Sequence, residues 1–414
     1  MNAAEQPPRP TVAIVDWNVT RRSPIGGSIL ELLRRLHDRY RFVVVAADFE
    51  NPSPETIQHV KVRLPSVPSF VKELCWPGLV RLAFMRRELR SLPPHVTRAT
   101  QGQLPGAEVS SAHFCHRAYL RKYFASSGTR GLRRISRFLV HRHGASLEQK
   151  AFRRARAITV PSMGLWQEIA ETYPFAREKL VLVPNPVDTS MFAPSAEFDR
   201  DAARAQVGVS TEDVVFTFVA LGDFARKGLE VGIRALARLG PSPACILVVG
   251  GTKGEIALFR GIAADADVEE RLRFVGLQTD VRSYLWLADA FLFPTLYEAG
   301  SKAVLQAAAA GLPVIATRIH GIEDMVVHGV NGWFTERTEE AVAAALERAV
   351  ADRDALPEMG RRAQAAASAY DSRFFAERWD SVLSWALSGE ASVSSLPTRS
   401  LLPSGEPFAE NDRG

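Results

Sequence analysis

The feature that most constrains this chain is an alternation, run twice, of short apolar segments with segments of helical periodicity. The first series places strands at "TVAIVDW" (11–17), "RFVVVAA" (41–47), "AEVSSA" (107–112) and "AITVPS" (157–162), with helical patterns such as "SILELLRRLHDRY" (28–40) between them. The second places them at "VVFTFVALG" (214–222), "ACILVVGG" (244–251), "LRFVG" (272–276), "ADAFLFPT" (288–295), "LPVIAT" (312–317) and "NGWFT" (331–335), with helices over 229–239 and 281–288 among the connections. Strand–helix alternation implies parallel sheets joined by right-handed crossovers. The expectation is an α/β chain of two Rossmann-like domains, whose ligand loops lie at the carboxyl ends of both sheets and face each other across a cleft.

The break between the series is marked by Pro184, Pro186 and Pro194 and a polar stretch to about residue 212. The domains are therefore expected at 11–190 and 191–370. Residues 1–10 are expected to be flexible and the Ser-, Pro- and Gly-rich tail 389–414 to be disordered. At 414 residues, two domains of ordinary size are the default.

Composition narrows the class. No run of about 18 apolar residues exists, so no membrane-spanning helix is expected. The opening "MNAAEQPPRP" has neither a basic nor an apolar signal region, which argues against secretion. Cys75, Cys115 and Cys245 are odd in number and far apart, as reduced cytoplasmic thiols would be. Residues 1–185 carry 29 Lys and Arg against 14 Asp and Glu, whereas the remainder carries 22 against 32. A basic half attracts nucleic acid, anionic lipid or an anionic substrate, or is simply solvated. No recognition module supports nucleic acid.

Four constellations could carry chemistry. Gly26-Gly27, after the first strand and at a helix start, either admits backbone N–H groups to an anion or makes a tight turn. Arg226 and Lys227 follow a strand in the second series, where two cations suit a diphosphate, each worth about 4 kcal/mol at 4 Å and an effective dielectric near 20 before desolvation. The competing reading is a solvated surface pair. His113 follows a strand and His116 lies one helical turn on; a metal would need a third ligand that no recognisable spacing supplies. Lastly, in "YEAGSKAVLQAAAAG" (297–311), Gly300 and Ser301 open a helix whose N–H groups suit phosphate. Glu298 stands before it, and Gln306 lies two turns along.

Taken together and in order, these parts resemble glycosyltransferase family 4, retaining enzymes of the GT-B fold. "VPNPVD" and "HGIEDMVVHGVNGWF" resemble that family's interdomain and post-motif segments, and the resemblance covers most of residues 11–388. It implies that Arg226 and Lys227 hold a nucleotide diphosphate, that Gly26 and Gly27 face phosphate, and that His113 lines the donor-sugar pocket. It also implies that Glu298 contacts sugar hydroxyls and that Glu323 lies near the donor. The first domain would take the acceptor, the second the nucleotide-sugar, and a helix over 371–388 would return to the first. As in the family, the chain is read as having no Asp-x-Asp-type metal site, so no cofactor and no metal are expected.

Two departures from the family pattern stand out. The run after Glu298 is Ala299-Gly300-Ser301-Lys302 instead of Gly-Phe-Gly, and Lys302 either contacts an acidic donor group or faces solvent. Gln306 replaces a carboxylate expected against the nucleotide ribose. A neutral acceptor is weaker there by about 1 kcal/mol. The activity implied is transfer of a sugar from a nucleotide-sugar to a glycan or lipid-linked acceptor in envelope or exopolysaccharide synthesis. A cytoplasmic protein, peripheral on an anionic membrane, is expected from the basic stretches 78–92 and 110–160. The alternative is a non-catalytic glycosyltransferase-like subunit that binds a nucleotide or a protein.

Overall fold

The computed structural model of the protein describes residues 9–90, 93–127 and 131–396. They form two compact units. One runs to Asn185 and takes back Ser372–Leu396; the other is Pro186–Asp371. The boundary expected at 190 thus falls at Asn185, and Val187 is already bridged to Asp371 within the second unit.

The first unit is built on seven parallel strands: β1 (Thr11–Val15), β2 (Arg41–Ala46), β3 (Gln58–Lys61), β4 (Val96–Thr100), β5 (Val109–Ser111), β6 (Ala157–Val160) and β7 (Leu180–Leu182). Their order is β3-β2-β1-β4-β5-β6-β7. The second unit has six: β8 (Val214–Ala220), β9 (Ala244–Gly250), β10 (Leu272–Gly276), β11 (Ala290–Phe293), β12 (Val314–Thr317) and β13 (Gly332–Thr335), in the order β10-β9-β8-β11-β12-β13. Each sheet starts at its centre, winds to one edge, then crosses to the other side. Each therefore has a switch point beside its first strand, where loops at the carboxyl ends diverge and leave room for a ligand.

Helices α1 (Pro24–Leu36), α2 (Ser69–Phe84), α3 (His116–Lys122), α4 (Gly131–Arg154) and α7 (Ser372–Ser388) belong to the first unit, α5 (Leu229–Arg238) and α6 (Lys302–Ala309) to the second. On one face of the first sheet, Ile29 and Leu33 of α1 and Trp379, Val382 and Leu383 of α7 pack with Val12, Ile14 and Val44. On the other, Trp76, Val80 and Ala83 of α2 cover Val43 and Val45. Each large side chain buried this way contributes about 1.5–3 kcal/mol, which fixes α7 to the first unit although it follows the second in sequence.

Two strands break the apolar pattern and were not expected: β3 carries Gln58, His59 and Lys61, and β4 carries Thr97, Arg98 and Thr100. Arg98 is buried in the sheet because Ser111 Oγ accepts from its Nε at 2.9 Å and its guanidinium lies 5.2 Å from the Trp379 ring centre. Burial lowers its pKa to about 10 against the opposing charge of Asp16.

Residues 389–396, expected to belong to a disordered tail, pack with the first unit. Val393 and Leu396 are buried in the first unit's core, and Trp385 Nε1 donates to the Ser392 carbonyl at 2.8 Å. Two apolar residues within reach of the sheet outweigh the Ser-rich composition around them. Residues 1–8 and 397–414, on which the remaining expectations about the ends fall, lie outside the described residues. No helix among the described residues is long and apolar enough to cross a membrane.

Candidate functional site

The chemistry expected of the second unit gathers where β8 and β11 end. After β8 the chain takes a left-handed residue, Asp223 (φ 61°), then one helical turn, Phe224–Lys227, then Gly228 (φ 86°) before α5. A Cβ on Gly228 would stand 2.0 Å from the Pro294 carbonyl oxygen, so only glycine lets this turn close on the loop after β11. Across that contact the Leu296 N–H donates to the Arg226 carbonyl at 2.8 Å.

The two loops thereby place three charged side chains together. Lys227 Nζ donates to Glu298 Oε1 at 2.7 Å, and Arg226 Nη1 reaches the same oxygen at 3.2 Å. Arg226 Nε donates to Asp223 Oδ2 at 2.8 Å, and Nη1 also donates to the Tyr297 carbonyl. Thr295 Oγ1 adds a third donor to Glu298 Oε1 at 3.3 Å. All three ionic side chains are less than a fifth exposed. Burial alone would raise the pKa of Glu298, but Lys227 and then Arg226 hold it below the ordinary carboxylate range. Lys227 also sits 4.8 Å from the Phe293 ring centre, a cation–π contact that tolerates the loss of water. The cations are thus a fixed, half-desolvated pair and not a solvated surface patch. Their placement relative to Glu298 shows ion pairing within the cluster, where the sequence suggested separate tasks.

The remaining predicted residues surround this cluster to different degrees. Ser301 is buried and caps α6, accepting from the Val304 N–H at 3.4 Å. Gly300 lies against Gly321, where a Cβ would approach the Gly300 Cα to 2.6 Å, so the turn bearing Glu323 packs on the loop after Glu298. Within that turn His320 Nδ1 and Glu323 Oε1 are 3.5 Å apart. Lys302 and Gln306 stand on α6 and are half-buried.

Sequence reasoning missed two supports. Arg337 donates to the Pro294 carbonyl at 3.1 Å and to the Ala225 carbonyl at 2.7 Å, strapping the two loops together. Glu255 accepts from the Asp223 N–H at 2.7 Å while forming a capping box with Thr252, which anchors the left-handed turn to the helix Lys253–Asp265 that follows β9. Arg337 has no local motif, and Glu255 shows only the Thr-x-x-Glu signature of a capping box; both brace the site through carbonyl or N–H groups far away in sequence.

The first unit holds the other candidates. Gly26 and Gly27 lie inside the first turn of α1, not ahead of it. The Gly26 N–H donates to the Ser23 hydroxyl at 3.1 Å and the Gly27 N–H to the Ser23 carbonyl at 2.7 Å. Both groups serve the helix cap. Glycine is needed at 26 because a Cβ would come within 2.4 Å of the Asn18 carbonyl oxygen.

His113 follows β5, and its N–H donates to Gln101 Oε1 at 2.7 Å. It lines a water-sized cavity with Ser28, Arg98, Asn185 and Trp379. His116 does not join it: its Nδ1 lies 2.9 Å from His141 Nδ1, and burial, reinforced by His141 and His143, lowers its pKa to about 3. Among the described residues no group of three or more His, Cys, Asp or Glu could hold a metal ion.

Comparison with known proteins matches both units. Residues 25–191 match the sequence model of Glycosyltransferase Family 4, and residues 215–352 that of Glycosyl transferases group 1. A D-inositol 3-phosphate glycosyltransferase of Nocardia farcinica is 31% identical over 223 residues, 51% of this chain and 48% of that protein. The chain thus spans about half the length of that relative. Among solved structures, WaaG, a glycosyltransferase involved in lipopolysaccharide biosynthesis, superposes with a TM-score of 0.74 at 20% identity, covering 90% of this chain and 99% of that one. HepE of Anabaena, solved with UDP and glucose, gives 0.71 at 18%, covering 91% and 100%. The structures speak for the fold and the two sequence models, which between them take in most of both units, for descent: the chain belongs to glycosyltransferase family 4 and has the GT-B fold.

Proposed function

We propose that this protein is a retaining glycosyltransferase that moves a hexosyl group from a nucleotide-sugar to a glycan or lipid-linked acceptor in the synthesis of envelope or extracellular polysaccharide. The observation that carries this reading is the buried Arg226–Lys227–Glu298 cluster at the carboxyl edge of the second sheet. In the reaction the bond from the anomeric carbon to the diphosphate oxygen breaks and a bond to an acceptor hydroxyl forms on the same face. The hydroxyl proton passes to the departing phosphate. Negative charge grows on the diphosphate, and preorganised cations are most effective where charge develops. Arg226 and Lys227 are such cations, held in place by Glu298, Asp223 and Arg337.

On this reading Glu298 orders the cations and presents its second oxygen to donor hydroxyls, the first turn of α6 with Gly300, Ser301 and Lys302 approaches phosphate, and Gln306 and Glu323 border the nucleotide. Gly26, Gly27 and His113 belong to the first unit, which on this reading bears the acceptor. Two fixed cations can neutralise the leaving group, so the reaction is proposed to be independent of metal and cofactor. A lipopolysaccharide core biosynthesis glycosyltransferase of Rhizobium meliloti, 32% identical over 146 residues (35% of this chain and 42% of that protein), supports an acceptor of envelope type.

A position on the cytoplasmic face of an anionic membrane is supported by α4, where Leu132, Ile135, Phe138 and Leu139 are exposed beside Arg134 and Arg142. Apolar side chains flanked by arginine suit a lipid interface. Sedimentation with phosphatidylglycerol-containing vesicles at low salt, and none with phosphatidylcholine alone, is the expected result; equal failure with both removes the membrane from the proposal.

A non-catalytic subunit is favoured by one observation, the amide at Gln306. Two measurements decide between the readings: titration with UDP, GDP and ADP, and hydrolysis of the matching nucleotide-sugar without acceptor, in the presence of EDTA. The proposal expects selective binding of one nucleotide, UDP being the first to test, and slow hydrolysis that Lys227→Ala lowers at least tenfold. Binding without hydrolysis selects a nucleotide-binding subunit, and no binding removes the donor reading in favour of a subunit that binds a protein.

A further inference from the structure

The first unit contains a second, larger cavity that the donor chemistry does not use. It measures about 180 Å³ and lies at the carboxyl edge of the sheet, between the loops after β1 and β4 and the facing sides of α2 and α4. Two tryptophans, Trp17 and Trp76, stand in its wall with ring centres 5.1 Å apart and planes at 39°. Trp76 Nε1 donates to Gln103 Oε1 at 2.9 Å, which fixes the Gln103 amide and leaves its NH2 as a donor. Glu73 supplies the only carboxylate among the described lining residues, and none of these is Lys or Arg.

We propose that this cavity is an acceptor subsite for one uncharged pyranose ring; the word acceptor rests on the reading of the protein as a glycosyltransferase. The size suits one ring, being below the ~300–1,000 Å³ of sites for larger ligands. A sugar ring has an apolar C–H face and a rim of hydroxyls. The first matches an indole surface, and the second matches an amide donor and a carboxylate acceptor. A phosphate would need fixed cations, of which the described lining has none. A lipid chain would strip water from Glu73 and Gln103 without replacing its hydrogen bonds.

Position supports the same ligand. Gln101, in the cavity wall, has a left-handed backbone (φ 54°) and accepts the His113 N–H through Oε1, while its amide donates to the Phe114 carbonyl at 2.6 Å and to Glu148 Oε1 at 2.9 Å. One side chain is therefore shared by the cavity wall and the seat of His113, and a ring in the cavity lies beside the segment that carries His113.

The test is saturation-transfer NMR on the full chain, with methyl α-D-glucopyranoside, methyl α-D-mannopyranoside and glucose 6-phosphate as probes, with and without UDP. Binding of at least one neutral methyl glycoside is expected, weakened at least tenfold in both Trp17→Ala and Leu147→Phe, with UDP affinity unchanged in both. Absence of any neutral glycoside signal, a signal indifferent to both substitutions, or tighter binding of glucose 6-phosphate overturns the proposal. Because UDP is titrated separately, glycoside binding without UDP binding supports this subsite while removing the donor reading, and UDP binding without glycoside binding does the reverse.

Discussion

Lys227 Nζ and Glu298 Oε1 lie 2.7 Å apart although 71 positions separate them in sequence. That single contact, reinforced by Arg226 at 3.2 Å, joins the loop after the first strand of the second sheet to the loop after its fourth. It also means that one carboxylate competes with any diphosphate for the same two cations.

Glu298→Gln therefore separates binding from turnover. Without the carboxylate, both cations meet an anionic ligand at full strength, and UDP affinity is expected to rise about tenfold, or ~1.4 kcal/mol. Donor hydrolysis is expected to fall at least tenfold, because the cations are no longer fixed for the leaving group. Calorimetry and a hydrolysis assay on one preparation read both quantities. A parallel fall in the two would show that Glu298 merely maintains structure.

Gln306→Glu restores a charged acceptor on α6. A hydrogen bond to a charged group exceeds a neutral one by about 1 kcal/mol, so UDP is expected to bind roughly fivefold to tenfold more tightly. An unchanged or weakened dissociation constant would place Gln306 away from the ribose.

Glu148 gives the first unit a pH signature. It is buried, accepts from Gln101 Nε2, the His116 N–H and Tyr173 Oη, and is pushed up to about 8 by burial, which those hydrogen bonds only partly offset. Its folded pKa exceeds its unfolded value of about 4.3, so the folded state holds a proton that the unfolded chain has released. Stability from this group is present below about pH 4.3 and is lost as pH rises toward 8. Glu148→Gln cannot ionise. It is expected to be near neutral at pH 5 and stabilising by roughly 1–3 kcal/mol at pH 8, read as a shift in the urea midpoint at the two pH values. An equal effect at both would refute the assignment.

Gly228→Ala tests the closure between the two loops of the second unit. The left-handed backbone costs about 1–2 kcal/mol for an L side chain, and the Cβ would clash with the Pro294 carbonyl at 2.0 Å. A loss above about 3 kcal/mol is expected, with faster hydrogen exchange at the ends of β8 and β11. Gly240→Ala is the control: it is also left-handed, with φ 61°, but has no atom within 4 Å of a new Cβ, and it should lose only the backbone part.

Much of this was legible in the sequence, for identifiable reasons. Strands such as Val214–Ala220 and Ala244–Gly250 are buried on both faces, so all positions but Thr217 are apolar or small and the run stands out. Strands Gln58–Lys61 and Val96–Thr100 did not stand out, because His59 and Arg98 are accommodated by partners that no local pattern reveals: His59 Nε2 meets the Ala46 carbonyl, and Arg98 lies between Ser111 and Trp379. Gly26-Gly27 was legible as a constraint but not as a purpose, since a close approach to Asn18 and a close approach to phosphate leave the same residue in the sequence.

The sequence by itself determined that the chain folds as two parallel-sheet units of this family, and which residue types, Arg226, Lys227, Glu298 and His113, stand at the strand ends. Local periodicity and strand-end position suffice for that. Only the tertiary structure decided that Glu298 pairs with the two cations, that Arg337 and Glu255 brace their loops, and that Trp17, Trp76 and Gln103 form one wall. Each of these depends on distances between residues remote in sequence, which are set by how the sheets wind and how tightly their loops pack, and the order of residues along the chain does not encode such distances in any local pattern.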